Sequence, residues 1–452
     1  MRITGLGHAG MFIETTGGSI LCDPVIGPSF FGSWFPFPDN RGLDWERFGN
    51  ADFLYVSHRH RDHFDPQLLQ RYVPRDIRVL LPEYPTDDLE VDLRALGYEN
   101  IVYTQAGVPL VYDNGLTIMV TPLRAPSDGP IGDSSLSVDD GTASMLNQND
   151  AHPLDLEKLL AFSHPDAYFT QVSGAIWWPM VYDLPQDAKQ NFAGLKRDAQ
   201  NKRAMYYIDK VAAEHVFPMA GPPMFLREEL FRYNGYGLED DSIFTDQQQF
   251  LDHMAEVSPA QKGYRFVPGT QVDLAGSEIQ VTQTLYTEAE IERIFSDKWT
   301  YLAEQRDARQ DEVRAEEAQR AAVLPPAEML AALQEWWEPL LRRARTIRNG
   351  VGGNVRFRIG DLDMVVDFPK AKVREYAGEE CVYWYTIPAD LVSTNIADHE
   401  IDWSNSIFLS MQFEVGRSGK FNEFLTTFLK CLSRDRIEYV ENWYAEQSDQ
   451  TE

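Results

Sequence analysis

The sequence predicts a layered α/β protein followed by a smaller α+β unit, and three observations carry that reading. Short apolar β-runs alternate with turns and helix signals through residues 1–285, the pattern of sheets covered by helices. Residues 286–326 then turn largely polar and charged and stop at Leu324-Pro325-Pro326. From residue 327 to 452 the pattern restarts as helix, hairpin, strand and helix.

Taken in order, residues 3–14 read as one strand and 19–22 as the next, turning at Thr16-Gly17-Gly18. Residues 51–57 form an apolar run of the kind that makes a buried strand. Asp65 as N-cap and Pro66 at the first helical position predict a helix directly after it. Further strands are expected at 79–82, 117–121, 134–138, 142–147 and 212–218. Thr287 and Glu290 form a capping box opening a helix with Ile291, Ile294, Phe295, Trp299 and Leu302 on its apolar face. The charged stretch 304–320 reads as a solvated helix joining two domains. The last unit offers an amphipathic helix (Leu330, Leu333, Trp336, Trp337, Leu340), then a hairpin of 354–359 and 364–368. A strand at 381–387 and helices from Ala389 and over 420–432 complete it.

Composition excludes several classes. With 41 Lys+Arg against 70 Asp+Glu the formal net charge is −29, which argues against a sequence-independent grip on nucleic acid or on anionic lipid. Cys22, Cys381 and Cys431 are too few and too scattered for a disulfide framework, a cysteine-built zinc site or an iron–sulfur cluster. No apolar run is long enough to span a membrane, and the N-terminus enters a strand pattern with no signal-peptide core. The expectation is a cytoplasmic protein acting on a small molecule, with homodimerisation the default role for the last unit.

The chemistry concentrates in Ser57-His58-Arg59-His60-Arg61-Asp62-His63, where three of the chain's nine histidines and a carboxylate follow the apolar strand. Imidazole and carboxylate together suit zinc, iron or manganese. Side chains two apart leaving a strand can point the same way, so His58 and His60 could grip one ion and Asp62 and His63 a second nearby. The bland alternative is a solvated His/Arg loop.

That segment, with Gly7-His8-Ala9 opening the chain and Leu21-Cys22-Asp23-Pro24 on the next strand, resembles the metallo-β-lactamase superfamily. The likeness covers about residues 1–285 and is to the UlaG-like branch, which includes N-acylphosphatidylethanolamine phospholipase D. It implies an αββα sandwich with a binuclear site at one sheet edge. The superfamily's bridging Asp follows a strand, and Asp150 fits that place, with Asn149 where Gly is usual. A first-site His normally precedes it by about 20 to 25 residues. Asp128, 22 residues upstream, is the substitute here, with Asp133 its rival. The final ligand His of a Pro-x-His-Gly turn is replaced by Ala220 in Pro218-Met-Ala220-Gly221.

These departures resemble CMP-N-acetylneuraminate hydroxylases and the proteins that join this domain to a Rieske centre. The resemblance implies a hydroxylase or monooxygenase with two metal ions, iron before zinc or manganese, fed by a separate Rieske or ferredoxin-type donor. The expected ligands are His58, His60 and Asp128 for one ion, Asp62 and His63 for the other, and Asp150 between them. Asp62, Asp150 and His8 are the expected catalytic groups. The alternative is a hydrolase of an ester, amide or phosphodiester using the same ligands. Asp23 reads as a hydrogen-bonding support, His152 as a loop histidine, and the loop around Trp177 and Trp178 as either packing or substrate wall. The last unit resembles sterol-carrier-protein-like α+β domains at the level of pattern alone.

Overall fold

The structure is a computed structural model that describes residues 1–123, 132–153, 155–235, 241–276 and 278–449. Two sheets pack face to face in the first part of the chain. The first has eight strands in the order Glu278–Gln283, Thr270–Ala275, Arg2–Gly7, Gly10–Thr15, Gly18–Cys22, Phe53–Tyr55, Arg78–Leu81, Ile101–Tyr103. The second has seven: Lys262–Gly263, His215–Met219, Ala167–Gln171, Ser144–Asn147, Ser134–Asp139, Thr117–Pro122, Leu110–Val111. Ile3, Ile13, Ile20 and Phe53 from one sheet meet Val120, Leu136, Met145 and Phe169 from the other in a single buried cluster. Helices Trp45–Gly49, Pro66–Tyr72 and Asp88–Ala95 cover the outer face of the first sheet through Phe48, Leu68, Leu69 and Leu93. Helices Gln186–Val211 and Gln247–Val257 cover the second through Ala204, Ile208, Phe250 and Met254. Helix, sheet, sheet, helix is the resulting layer order.

Two expectations are corrected. Residues 3–14 are two strands, because the chain reverses at His8 and Ala9. Gly7 has φ 100 and His8 φ 49, and glycine at the first of these removes the Cβ penalty of that conformation. The charged stretch 304–320 is not a solvated rod. It breaks into Lys298–Ala308 and Gln310–Gln319, and Arg309 at the break is fully buried with its guanidinium 4.5 Å from the Phe35 ring centroid. Arg309 Nη2 donates to the Ile26 carbonyl (3.1 Å) and to Glu312 (2.6 Å), so the polar pattern hides a packed anchor.

The last part folds on a five-stranded sheet, ordered Lys372–Glu375, Leu362–Asp367, Asn354–Ile359, Tyr383–Ile387, Glu414–Arg417. Helix Pro326–Arg343 lays Leu333 and Trp337 on it, and Trp337 meets Trp403 at 4.9 Å between ring centroids. Its hydrophobic core does not stop at the domain edge. The same cluster takes in Phe30, Trp34, Trp177, Tyr182, Phe225 and Phe244 of the first part. Backbone bonds reinforce the join, with the Val415 N–H donating to the Val181 carbonyl and the Asp183 N–H to the Val415 carbonyl. No helix among the described residues is long and apolar enough to cross a membrane.

Candidate metal centre

Strand Phe53–Tyr55 delivers the chain into residues 57–64, and helix Pro66–Tyr72 takes it away. Asp65 secures that exit. One of its oxygens caps the helix at the Gln67 and Leu68 N–H groups, and the other accepts from Ile26 and Gly27 at 3.2 Å. Between these fixed ends the N–H groups of His63 and Phe64 both donate to the His60 carbonyl, closing a turn that brings the side chains together.

Three groups of possible ligand atoms result, each with its donors within 4.8 Å of one another: His58, His60 and Asp133; His58, His63 and Asp150; and His8, Asp62 and His63. His58 Nε2 lies 3.3 Å from Asp133 Oδ1, and His63 Nε2 lies 3.5 Å from Asp150 Oδ2. His8, on its left-handed turn, places Nε2 2.9 Å from Asp62 Oδ2. Asp150 follows strand Ser144–Asn147 and reaches the loop from the second sheet. Asp128 lies outside the described residues, and Asp133, held above as its rival, is the carboxylate found beside His58 and His60. Ala220 sits on the turn after His215–Met219 with its N–H donating to the His8 carbonyl, so that turn supports His8 and offers no imidazole. His152 stacks on Tyr207 at 6.4 Å and joins none of the three groups.

Asp23 is fully buried beneath the loop. It accepts from the Ser57 N–H (2.7 Å), the Ser57 hydroxyl (2.6 Å) and His63 Nδ1 (2.9 Å), and so presents the opposite nitrogen of His63 to the site. Ser134 Oγ donates to the Ser57 carbonyl at 2.7 Å, the Tyr84 hydroxyl donates to the same carbonyl, and Tyr55 bonds to Ser134. Neither Ser134 nor Tyr84 carries a local sequence signal, because each arrives from another strand end.

The electrostatics suit a cation. Burial, with the charge of His63, pushes His58 down to about 4. Burial and His58 push His60 down to about 4, so both rings are neutral at pH 7 with a lone pair to offer. Burial and the Asp150 carboxylate push Asp133 up to about 7, the signature of acidic groups crowded together. Burial opposes charge on His63, yet Asp150 and Asp62 outweigh it and raise its pKa well above the usual value. Nε2 of His58 and of His63, and Oδ1 of Asp62 and of Asp150, are buried without a hydrogen-bond partner among the described residues. Orphaned buried polar atoms are uncommon, and divalent cations satisfy such a set. The donors therefore fit metal ions.

Beyond the ligands a closed cleft, too tight to hold a water molecule, is walled by Trp34, Ser173, Ala175 and Phe244. Trp34 packs edge-on to His8 at 6.2 Å and to Phe244 at 5.7 Å, and no sequence pattern announces it. Of the aromatic loop, Trp177 packs on Phe408 of the C-terminal domain and Trp178 on Tyr182 and Phe192 of its own.

A sandwich of this layer order with this His/Asp loop defines a metallo-β-lactamase-fold protein carrying a C-terminal sterol-carrier-like domain. Residues 2–128 match the β-lactamase superfamily domain, and residues 329–446 match the Rv3818-like, SCP2-like domain. The Mycobacterium tuberculosis protein Rv3818, which carries the name of a Rieske 2Fe-2S iron–sulfur protein, is 44% identical over 99% of this chain and 88% of its own length, and the chain belongs to the Rv3818 family. Over 26% of the chain and 22% of the relative, it is 31% identical to the cytidine monophosphate-N-acetylneuraminic acid hydroxylase of Mus musculus. An isothiocyanate hydrolase from Delia radicum gut bacteria superposes over 61% of this chain and 100% of its own at 13% identity and TM-score 0.45.

Proposed function

We propose that this chain is a metal-dependent, oxygen-activating hydroxylase of a small polar metabolite, working with two irons and an external electron donor. The observation that supports it is the composition of the donor set: apart from His8, the three groups draw on three imidazoles (His58, His60, His63) and three carboxylates (Asp62, Asp133, Asp150). That set with open positions suits iron and dioxygen better than redox-silent zinc, for which all-imidazole or thiolate shells are commoner. Iron held there would supply the activation of dioxygen. His58, His60 and Asp133 would hold one ion, His63 and Asp62 the other, and Asp150 would lie between them.

The remaining groups have parts that follow from their positions. His8 holds or releases a proton at Nε2 against Asp62. Trp34 and Phe244 keep bulk water from the cleft. Ser173 Oγ, buried without a partner among the described residues, lines the same closed cleft and is a hydrogen-bonding group held beside the donors. Insertion of one oxygen atom needs two external electrons. Cys22, Cys381 and Cys431 are too few and too far apart along the chain to make the paired-cysteine motif of a cluster, so the donor is placed outside these residues. The name carried by Rv3818 supports a Rieske-type centre as donor.

Turnover with oxygen excluded is the test. With candidate substrate, dioxygen and no reductant the protein should complete at most one cycle, and an iron–sulfur donor with its reductase should restore cycling. Repeated turnover under strict anaerobiosis would overturn the reading in favour of hydrolysis.

A further inference from the structure

The C-terminal domain reaches back to the metal loop through residues 400–406, and the contact is specific. Asn405 is 1% exposed, and both of its side-chain hydrogen bonds end on that loop. Its Oδ1 accepts from the Arg61 N–H at 2.9 Å, and its Nδ2 donates to the Arg59 carbonyl at 3.2 Å. Those two backbone groups belong to the peptide bonds on either side of His60. One carboxamide therefore brackets the main chain of one ligand histidine.

The bracket is itself rigid. Asp402 accepts from the Ser404 and Asn405 N–H groups (2.9 and 3.3 Å) and from Arg436 Nη1 (3.3 Å). The fully buried Arg436 also donates to Asp88 Oδ2 at 2.8 Å on helix Asp88–Ala95, tying the two domains together under the loop. Arg59 completes the frame between Asp92 (2.9 Å) and Glu400 (3.2 Å), while Glu400 accepts from the Asp402 N–H. The ring of His60 meets His58 at 4.6 Å, so a small rotation of its backbone would carry its nitrogen away from the His58 and Asp133 group.

We infer that Asn405 is a positioning residue for the metal centre: the C-terminal domain holds His60 in ligating geometry, and one metal site is incomplete without it. The inference rests on the metal-centre reading above, and not on whether the reaction is hydroxylation or hydrolysis. Groups that orient a ligand typically cost 10 to 100-fold in metal affinity when lost. Domain glue alone would instead loosen the whole molecule.

The test uses the full chain loaded with Co²⁺ and challenged with excess EDTA, following release of each ion optically. Asn405→Ala should release one ion about 10-fold faster than the parent and leave the other unchanged. Asn405→Asp keeps the acceptor for the Arg61 N–H but turns a carboxylate oxygen on the Arg59 carbonyl in a buried place, so it should release the same ion at least as fast as the alanine variant and leave the other unchanged. It also serves should the alanine variant fail to fold. Parental rates for both ions, or equal acceleration of both, overturn the inference. His60→Ala separates the two levels: loss of one ion there with parental release in the Asn405 variants sinks the inference alone, while full retention by His60→Ala sinks the metal-centre reading with it.

Discussion

His60 and His63 leave the same short loop, yet different halves of the molecule hold them. His63 is fixed through its ring, with Nδ1 on an Asp23 that belongs to the first sheet and is sealed within it. His60 is fixed through its backbone, by an amide that lies 345 residues away in sequence (405 − 60) and in another domain. One flank of the centre is thus built by the sandwich itself and the other by docking. A ring gripped by a buried carboxylate resists displacement strongly, whereas a main-chain bracket made of two neutral hydrogen bonds contributes about 1 kcal/mol each. The two flanks should respond to perturbation with different strength and different pH dependence.

Between the flanks stands His58, a member of two of the three donor groups, and its loss gives the largest effect. His58→Ala should lower activity by about 100-fold or more and leave less bound metal than His60→Ala, read by elemental analysis of protein purified without added metal. Equal metal content in the two variants would show that the flanks are not joined through His58.

Next comes the sandwich flank. Asp23→Ala strands the Ser57 N–H, the Ser57 hydroxyl and His63 Nδ1 in a fully buried place, and should cost about 3 kcal/mol of unfolding free energy by denaturant titration. Asn405→Ala, by the same measurement, should cost about 1–2 kcal/mol. A larger loss at Asn405 than at Asp23 would invert the comparison.

The smallest effect is acid sensitivity of the docked flank. Burial works against charge on Asp88 and Asp402, but Arg436 outweighs it and lowers both pKa values. Depressed folded-state values mean that this stabilisation is complete above the ordinary carboxylate range, about pH 4, and is lost as pH falls through the lower folded values. Thermal midpoints measured between about pH 6 and 3 should fall in the parent, and fall less in Asp88→Asn. Identical profiles would remove the Asp88–Arg436 tie from the account.

The part of the site legible in the sequence is the part that is contiguous. His58, His60, Asp62 and His63 declare themselves because one strand end carries them all, and Asp23 is readable as a support because it ends the adjacent strand. Asp133 is harder, since counting back from Asp150 favours Asp128, and only the pairing of Ser134–Asp139 with its neighbours places Asp133 beside His58. The strand break at His8 is masked because apolar residues stand close on both sides of it, Ile3 and Leu6 before and Met11 to Ile13 after. Helix Gln186–Val211 goes unread because its buried positions include Gln200 among small and aromatic residues, with no clean apolar stripe. Asn405 has no local signal at all, because the partners that give it meaning are backbone groups of a loop in another domain.

The core that runs without interruption from Trp337 and Trp403 to Trp34 and Phe244 has a consequence for how this chain comes apart. Two domains joined only by a tether melt separately, each on its own curve. Here the aromatic wall of the cleft is also the inner lining of the C-terminal domain, so neither half can open without exposing the apolar surface of the other. Denaturation is then a single cooperative event, and cutting the chain between residues 319 and 326 yields two aggregation-prone fragments in place of two independent modules.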